Sequence, residues 1–325
     1  MTPLRRLSIL SLVLGFGHVV FGAVVRITGS GLGCGDHWPK CHGYWFPPLD
    51  RTDLIIEVSH RYFAAGLSLA ILILLIVALS KRRESGVSGR GGILRPAAAA
   101  AVLVVAAALF GAATVKYELA NKWVIVVHLA IAMTLLAVLV AAALRTGALG
   151  GGIEPGAASS RTWRGARVAL SLAFAVLILG ALTAHLPGAN SACQGFPLCR
   201  GSLLPTAPQQ IQFVHRILAY ALFFHLLGLM LGVRRRGEGA VVIRASRFAF
   251  GLAVAQVLVA AAMVEMHLPA FWRSLHQAMG TALWIAIVVF ALLARRGSQG
   301  LAAAAGAPAP RPVLAASEAG VGAGA

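Results

Sequence analysis

Long apolar stretches separated by short polar ones run along almost the whole chain. Eight of them, Leu7–Val25, Leu54–Leu79, Pro96–Val115, Trp123–Leu144, Ala166–Ala184, Ile211–Val233, Phe248–Val264 and Phe271–Ala294, are about as long as a helix needs to cross a hydrocarbon core of roughly 30 Å. The pattern predicts an all-α membrane protein with eight transmembrane helices. Gly and Ala within the stretches suit close helix packing in lipid. The first stretch follows a basic N-terminus but lacks a small-residue cleavage site before Arg26, so it is read as a span and not as a removable leader.

Composition agrees: 59% of the 325 residues are hydrophobic and 12% charged. The formal net charge of +18 invites a nucleic-acid reading, but its distribution argues against one. Arg5/Arg6, Lys81–Arg95, Arg145–Arg167, Arg234–Arg247 and the segment from Arg295 onward hold 19 of the 28 basic residues. The loops that alternate with them hold the other 9, together with 6 of the 10 acidic residues. This is the positive-inside asymmetry. It predicts a multi-pass protein of the cell (plasma) membrane with both termini cytoplasmic and no nucleic-acid partner.

The four cysteines, Cys34, Cys41, Cys193 and Cys199, fall in the two long loops assigned to the extracytoplasmic, oxidising side. Two local disulfides, Cys34–Cys41 and Cys193–Cys199, are the economical expectation. Zinc is the competing reading, although neither spacing matches a zinc knuckle and each loop offers only two thiolates.

Those loops expose a repeat. "GAVVRITGSGLGCGDHWPKCHG" begins at Gly22 and "GALTAHLPGANSACQGFPLCRG" at Gly180. Trp38-Pro39 matches Phe196-Pro197. Each loop leads into a helix bearing His-Arg, "IEVSHR" (His60, Arg61) and "IQFVHR" (His215, Arg216). Two spans later another histidine opens the last helix of each half, His128 in "VVHLA" and His276 in "SLHQA". Four spans per half make the repeat parallel. The expected organisation is two tandem four-helix bundles, 1–145 and 164–297, a cytoplasmic linker at 146–163 and a disordered tail at 298–325.

His60, His128, His215 and His276 all sit about five to seven residues inside the outer ends of their helices, roughly 7–10 Å deep at 1.5 Å per residue. Ionisable groups at such depth are rare and usually functional. Two histidines on facing helices of a bundle can clamp a haem iron from both faces. His60 with His128, and His215 with His276, form one such pair per half. The halves differ three residues upstream, where Glu57 stands opposite Gln212. Glu57 shares a helix face with His60. Its carboxylate either forms a salt bridge to Arg61 or Arg26, or serves the N-terminal site as acid/base or electrostatic stabiliser. Arg61 and Arg216 are candidates to meet haem propionates. His37 and His42 lie in the first loop, and His185 and His267 near the same outer mouth. His18 and His225 have no counterpart in the repeat.

Together, "RITGSGLGCGDHWPKCHG", "IEVSHR", the second Cys loop, "FVHR", "VVHLA" and "SLHQA" resemble the haem A synthases, membrane enzymes of terminal-oxidase assembly. The resemblance covers residues 10–295. It implies oxidation of the C8 methyl of haem O to the formyl group of haem A, with haem O as substrate in the N-terminal half and a haem b cofactor in the C-terminal half. Glu57, His60 and His128 would form the catalytic site, and His215 and His276 would ligate haem b. The four histidines would be the iron ligands. A haem O synthase would hand over the substrate, and an electron-transfer partner would complete the reaction. The first Cys ring holds six residues and the second five, so one pair relaying electrons and both pairs acting as staples remain alternatives.

Other classes make different demands. A quinone-linked di-haem electron carrier needs the same four histidines but no special Glu57. A thiol–disulfide enzyme leaves the deep histidines without a task. A transporter fits the repeat but lacks broken helices and a central acidic pair.

Overall fold

Each expected span forms a helix in the structure, a computed structural model that describes residues 3–35, 37, 40–154, 156–199 and 206–305. In chain order these are α1 (Pro3–Ile27), α2 (Thr52–Ser80), α3 (Leu94–Lys116), α4 (Lys122–Arg145), α5 (Ser160–His185), α6 (Ala207–Arg235), α7 (Ala240–Glu265) and α8 (Ala270–Ala305). All eight are long and apolar enough to cross a membrane. Of the expected tail, residues 298–305 are a correction: they continue α8 as helix. The "LAAAA" run at 301–305 has the highest helix propensity available, and it extends a helix already nucleated. Residues 306–325, and the Trp38-Pro39 half of the loop match, lie outside the described residues.

Helix starts carry their own signals. Asn121 Oδ1 accepts from the backbone N–H of Trp123 at 3.1 Å to cap α4, and the Thr206 hydroxyl accepts from Gln209 to cap α6. The turns α3–α4 and α7–α8 repeat each other. Glu118-Leu119 and His267-Leu268 take left-handed backbone conformations, with φ of 50°, 57°, 61° and 64°. Each closes with an N–H five residues downstream of its acceptor, Leu119 to Thr114 at 2.9 Å and Leu268 to Met263 at 2.8 Å. His267 is therefore a turn residue.

The helices pack as two rings of four. In the first, α1 touches α2 and α4, and α3 touches the same two; α5, α6, α7 and α8 repeat this arrangement. The rings join along α4 and α8, with α1 against α8 and α4 against α5. Leu136, Leu139 and Val140 of α4 meet Trp284, Ile287 and Val288 of α8 in one continuous core. At its centre the Trp284 indole Nε1–H donates to the Met133 carbonyl at 2.9 Å, a buried bond between halves. On one face Arg296 Nη1 donates to the Gly151 carbonyl at 2.7 Å. α8 is the central post, with 56% of its crossing stretch buried, and α3 the periphery, with 6%. Val102 and Leu109 of α3, like Phe248 and Leu258 of α7, are about two-thirds exposed, which suits lipid and not water.

Candidate functional site

Both expected disulfides are present, Cys34–Cys41 with a Cα–Cα distance of 4.9 Å and Cys193–Cys199 with 4.8 Å. The bridge of the first ring is buried although His37 and Lys40 within the ring are exposed. Cys34 and Cys41 are 0% and 1% exposed, packed on Leu54 and Val58 at the start of α2. With both pairs in disulfides, neither loop presents a thiolate to zinc.

Each Cys loop is fastened by its own His-Arg helix in the same way. Glu57 Oε2 accepts from the Cys34 backbone N–H at 2.8 Å. Gln212 Oε1 accepts from the Cys193 N–H at 2.6 Å. One turn on, Arg61 Nη1 donates to the His37 carbonyl at 2.6 Å. Arg216 donates to the carbonyls of Cys193 at 2.6 Å and Gly195 at 2.7 Å. Both arginines thus tie their helix to the loop carbonyls, and Arg216 also lines the cavity of the C-terminal half. The halves diverge in charge: Glu57 Oε1 also takes a salt bridge from Arg61 Nη2 at 2.5 Å, inside a buried environment. Of the two sequence-level alternatives for a Glu57 salt bridge, the structure chooses Arg61. In the first loop, His37 Nδ1 lies 3.2 Å from the Cys34 carbonyl and His42 Nε2 lies 3.0 Å from the Gly33 carbonyl. His225 ties α6 to the Gly165 carbonyl of α5 at 2.9 Å.

In the C-terminal half a cavity brings His215 and His276 together, with Gln256, Trp284, Arg26 and Arg273 on its walls. His215 is held by its Nδ1, 3.0 Å from the Val176 carbonyl. Gln256 Nε2 lies 3.1 Å from His276 Nδ1 and donates to the His276 carbonyl at 3.1 Å. Arg26 arrives from α1 of the other half. Its guanidinium and that of Arg273 are close enough to repel, an arrangement that an anion between them relieves. His185, bonded to the Ala181 carbonyl at 2.8 Å, lies within electrostatic range of Arg26.

In the N-terminal half His60 and His128 also converge, and His18 joins them. The His18 and His60 rings stack with centroids 4.2 Å apart and planes 19° off parallel. Among the described residues no hydrogen bond reaches the His60 ring. His128 lies near the Ala107 carbonyl without completing a bond, and Nδ1 of both His18 and His128 is buried without a partner.

The family model described as cytochrome oxidase assembly protein (COX15-CtaA) matches residues 5–54 and 50–288, nearly the whole chain. The chain is 32% identical over 294 residues to the haem A synthase of Symbiobacterium thermophilum, covering 87% of this chain and 93% of that protein. It is 32% identical over 240 residues to the haem A synthase of Alkalihalophilus pseudofirmus, covering 70% and 76%. Over 302 residues it is 28% identical to that of Staphylococcus haemolyticus, covering 90% and 95%. The chain belongs to the haem A synthase family.

For a haem A synthase the histidine surroundings fit a haem iron. Each of three imidazoles packs against a glycine of a neighbouring helix: a Cβ on Gly22 would meet His60 Nε2 at 3.2 Å, one on Gly111 would meet His128 Cε1 at 3.2 Å, and one on Gly180 would meet His215 Cε1 at 3.1 Å. The rings are thereby recessed between helices. Four residues of this haem A synthase site escaped sequence reasoning: His18, Gln256, Arg26 and Arg273. Only His18 left a signal, since it shares a helix face with Gly22, the first residue of the repeat.

Proposed function

We propose that the chain oxidises the C8 methyl group of haem O to a formyl group, producing haem A for terminal-oxidase assembly. The observation that carries this reading is one half-buried histidine pair per half, in a chain that matches the haem A synthases over nearly its full length. The N-terminal half is the substrate site. His60 and His128 would hold the iron of haem O, and Glu57 supplies acid/base or electrostatic help at the reacting edge. The C-terminal half is the cofactor site, where His215 and His276 would ligate haem b, and Arg26 and Arg273 offer cations to its propionates. Bound there, haem b supplies one-electron transfer.

The change from CH3 to CHO removes four electrons. With water as the oxygen source, two successive hydroxylations turn CH3 and two waters into a geminal diol, releasing four electrons and four protons to an electron-transfer partner and solvent, and the diol loses one water to leave the aldehyde. This chain's own residues do three things around that change. The histidines position the substrate ring. The Cys loops, bonded to Glu57 and Arg61 on one side and to Gln212 and Arg216 on the other, close the outer ends of the bundles against water. Glu57 places a carboxyl group one helical turn from His60, paired with Arg61. The Cys loops lie on the extracytoplasmic side of the plasma membrane and both termini in the cytoplasm, which the charge asymmetry supports. An apolar substrate favours direct handover from a haem O synthase.

Expression in a host that makes haem O, followed by haem extraction and separation, tests the reaction. Wild type yields haem A. Glu57→Gln keeps the acceptor for the Cys34 N–H but loses the charge. It is expected to lower haem A formation about 100-fold, within the range of a lost acid/base group. Haem b alone in both proteins, with reversible reduction, would replace this reading by an electron carrier.

A further inference from the structure

The repeat assigns His18 a counterpart. Gly22 begins one copy and Gly180 the other, so His18 of α1 stands where Val176 stands in α5. Both positions address the first histidine of their half, by different means. In the C-terminal half the Val176 carbonyl receives the His215 Nδ1 at 3.0 Å. In the N-terminal half the His60 ring instead lies on the His18 ring, 4.2 Å away and nearly parallel, with Phe63 continuing the stack at 6.0 Å and 7° from His18. Phe21 closes the edge of His60 at 5.9 Å.

We propose that His18 is a positioning residue of the substrate half, holding His60 by ring stacking where the cofactor half holds His215 by a hydrogen bond. The inference rests on the assignment of His60 as a ligand of the substrate haem. Its chemical consequence lies in the strength of that ligand. An imidazole whose Nδ1–H is given to a carbonyl is a more basic donor and is fixed in direction; losing such a partner typically costs 10–100-fold in metal affinity. A stacked imidazole is oriented without being made more basic. This suits a haem that must enter and leave, while the bonded histidine suits one that stays.

The test compares His18→Val, which installs the residue of the cofactor half, with His18→Phe, which keeps a stacking ring and removes its nitrogens. Full-length protein carrying haem O is oxidised, and two quantities are read: the electron paramagnetic resonance signal of the N-terminal ferric haem, and the rate at which haem O passes to excess apomyoglobin. His18→Val is expected to shift the signal and slow haem loss roughly tenfold. His18→Phe is expected to behave as wild type. Unchanged signal and rate in His18→Val would overturn the inference, and so would a change in His18→Phe equal to that in His18→Val, since stacking would then not be the cause. His60→Ala separates this from the reading beneath it. If His60→Ala leaves the N-terminal signal intact, His60 is not a ligand; if it alters that signal while His18→Val does not, only the role of His18 falls.

Discussion

The two halves of the molecule share helix order, turn geometry, disulfide position and the manner in which each Cys loop is tied to its His-Arg helix, yet the surroundings of their histidines differ. Three matched positions carry the difference: His18 against Val176, Ala107 against Gln256, and Glu57 against Gln212. In the C-terminal half both histidines have a polar partner at Nδ1 and the lid acceptor is neutral. In the N-terminal half no hydrogen bond reaches the His60 ring among the described residues, His128 has only the Ala107 carbonyl nearby, the His60 ring stacks on a third histidine, and the lid acceptor is a carboxylate. A duplicated scaffold thus offers one rigid site and one with freer ligands and a charge. That is the division expected between a resident cofactor and a substrate that turns over.

The largest expected effect breaks the comparison outright. His276→Ala should remove the resident haem while leaving binding of haem O, whereas His128→Ala should abolish haem A formation and leave the resident haem in place. Haem stoichiometry of the purified variants, read with product analysis, checks both; a single variant that empties both halves would show that the sites are not separable. Gln256→Ala sharpens the comparison at one ligand by giving His276 the alanine that faces His128. With the amide gone the His276 ring loses the contact at Nδ1 that fixes its direction, so retention of the resident haem should weaken, measured as haem loss to a scavenger, with little effect on the N-terminal half. The smallest effect concerns the seam. Trp284→Phe removes the bond from the indole to the Met133 carbonyl and should lower stability by about 1 kcal/mol, the scale of hydrogen bonds between membrane helices. Unfolding in mixed micelles measures it.

Much of this was legible before any coordinates. The eight spans followed from run length, and the pairing of cysteines from their confinement to two loops. His60, His128, His215 and His276 stood out because the repeat placed each at equal depth. Other features were illegible for identifiable reasons. Arg26 belongs by sequence to the N-terminal half but lines the C-terminal cavity, because α1 packs on α8 across the seam. The bonds from Arg61 and Arg216 to loop carbonyls could not be read from the sequence, because they depend on how each loop folds back over its helix. Gln256 sits in an apolar stretch where a lone amide has many possible partners.

The sequence by itself determined the elements, their number, the twofold internal repeat and the residue types available for chemistry. These depend on local quantities: the length of an apolar run against the thickness of a bilayer, and the recurrence of short motifs. Only the tertiary structure decided which faces meet, and with them the two different ways of holding a histidine. Helix rotation and neighbour choice are set by packing over the whole bundle, so a stack such as His18 on His60, 42 positions apart in the chain, exists only once α1 and α2 have settled side by side.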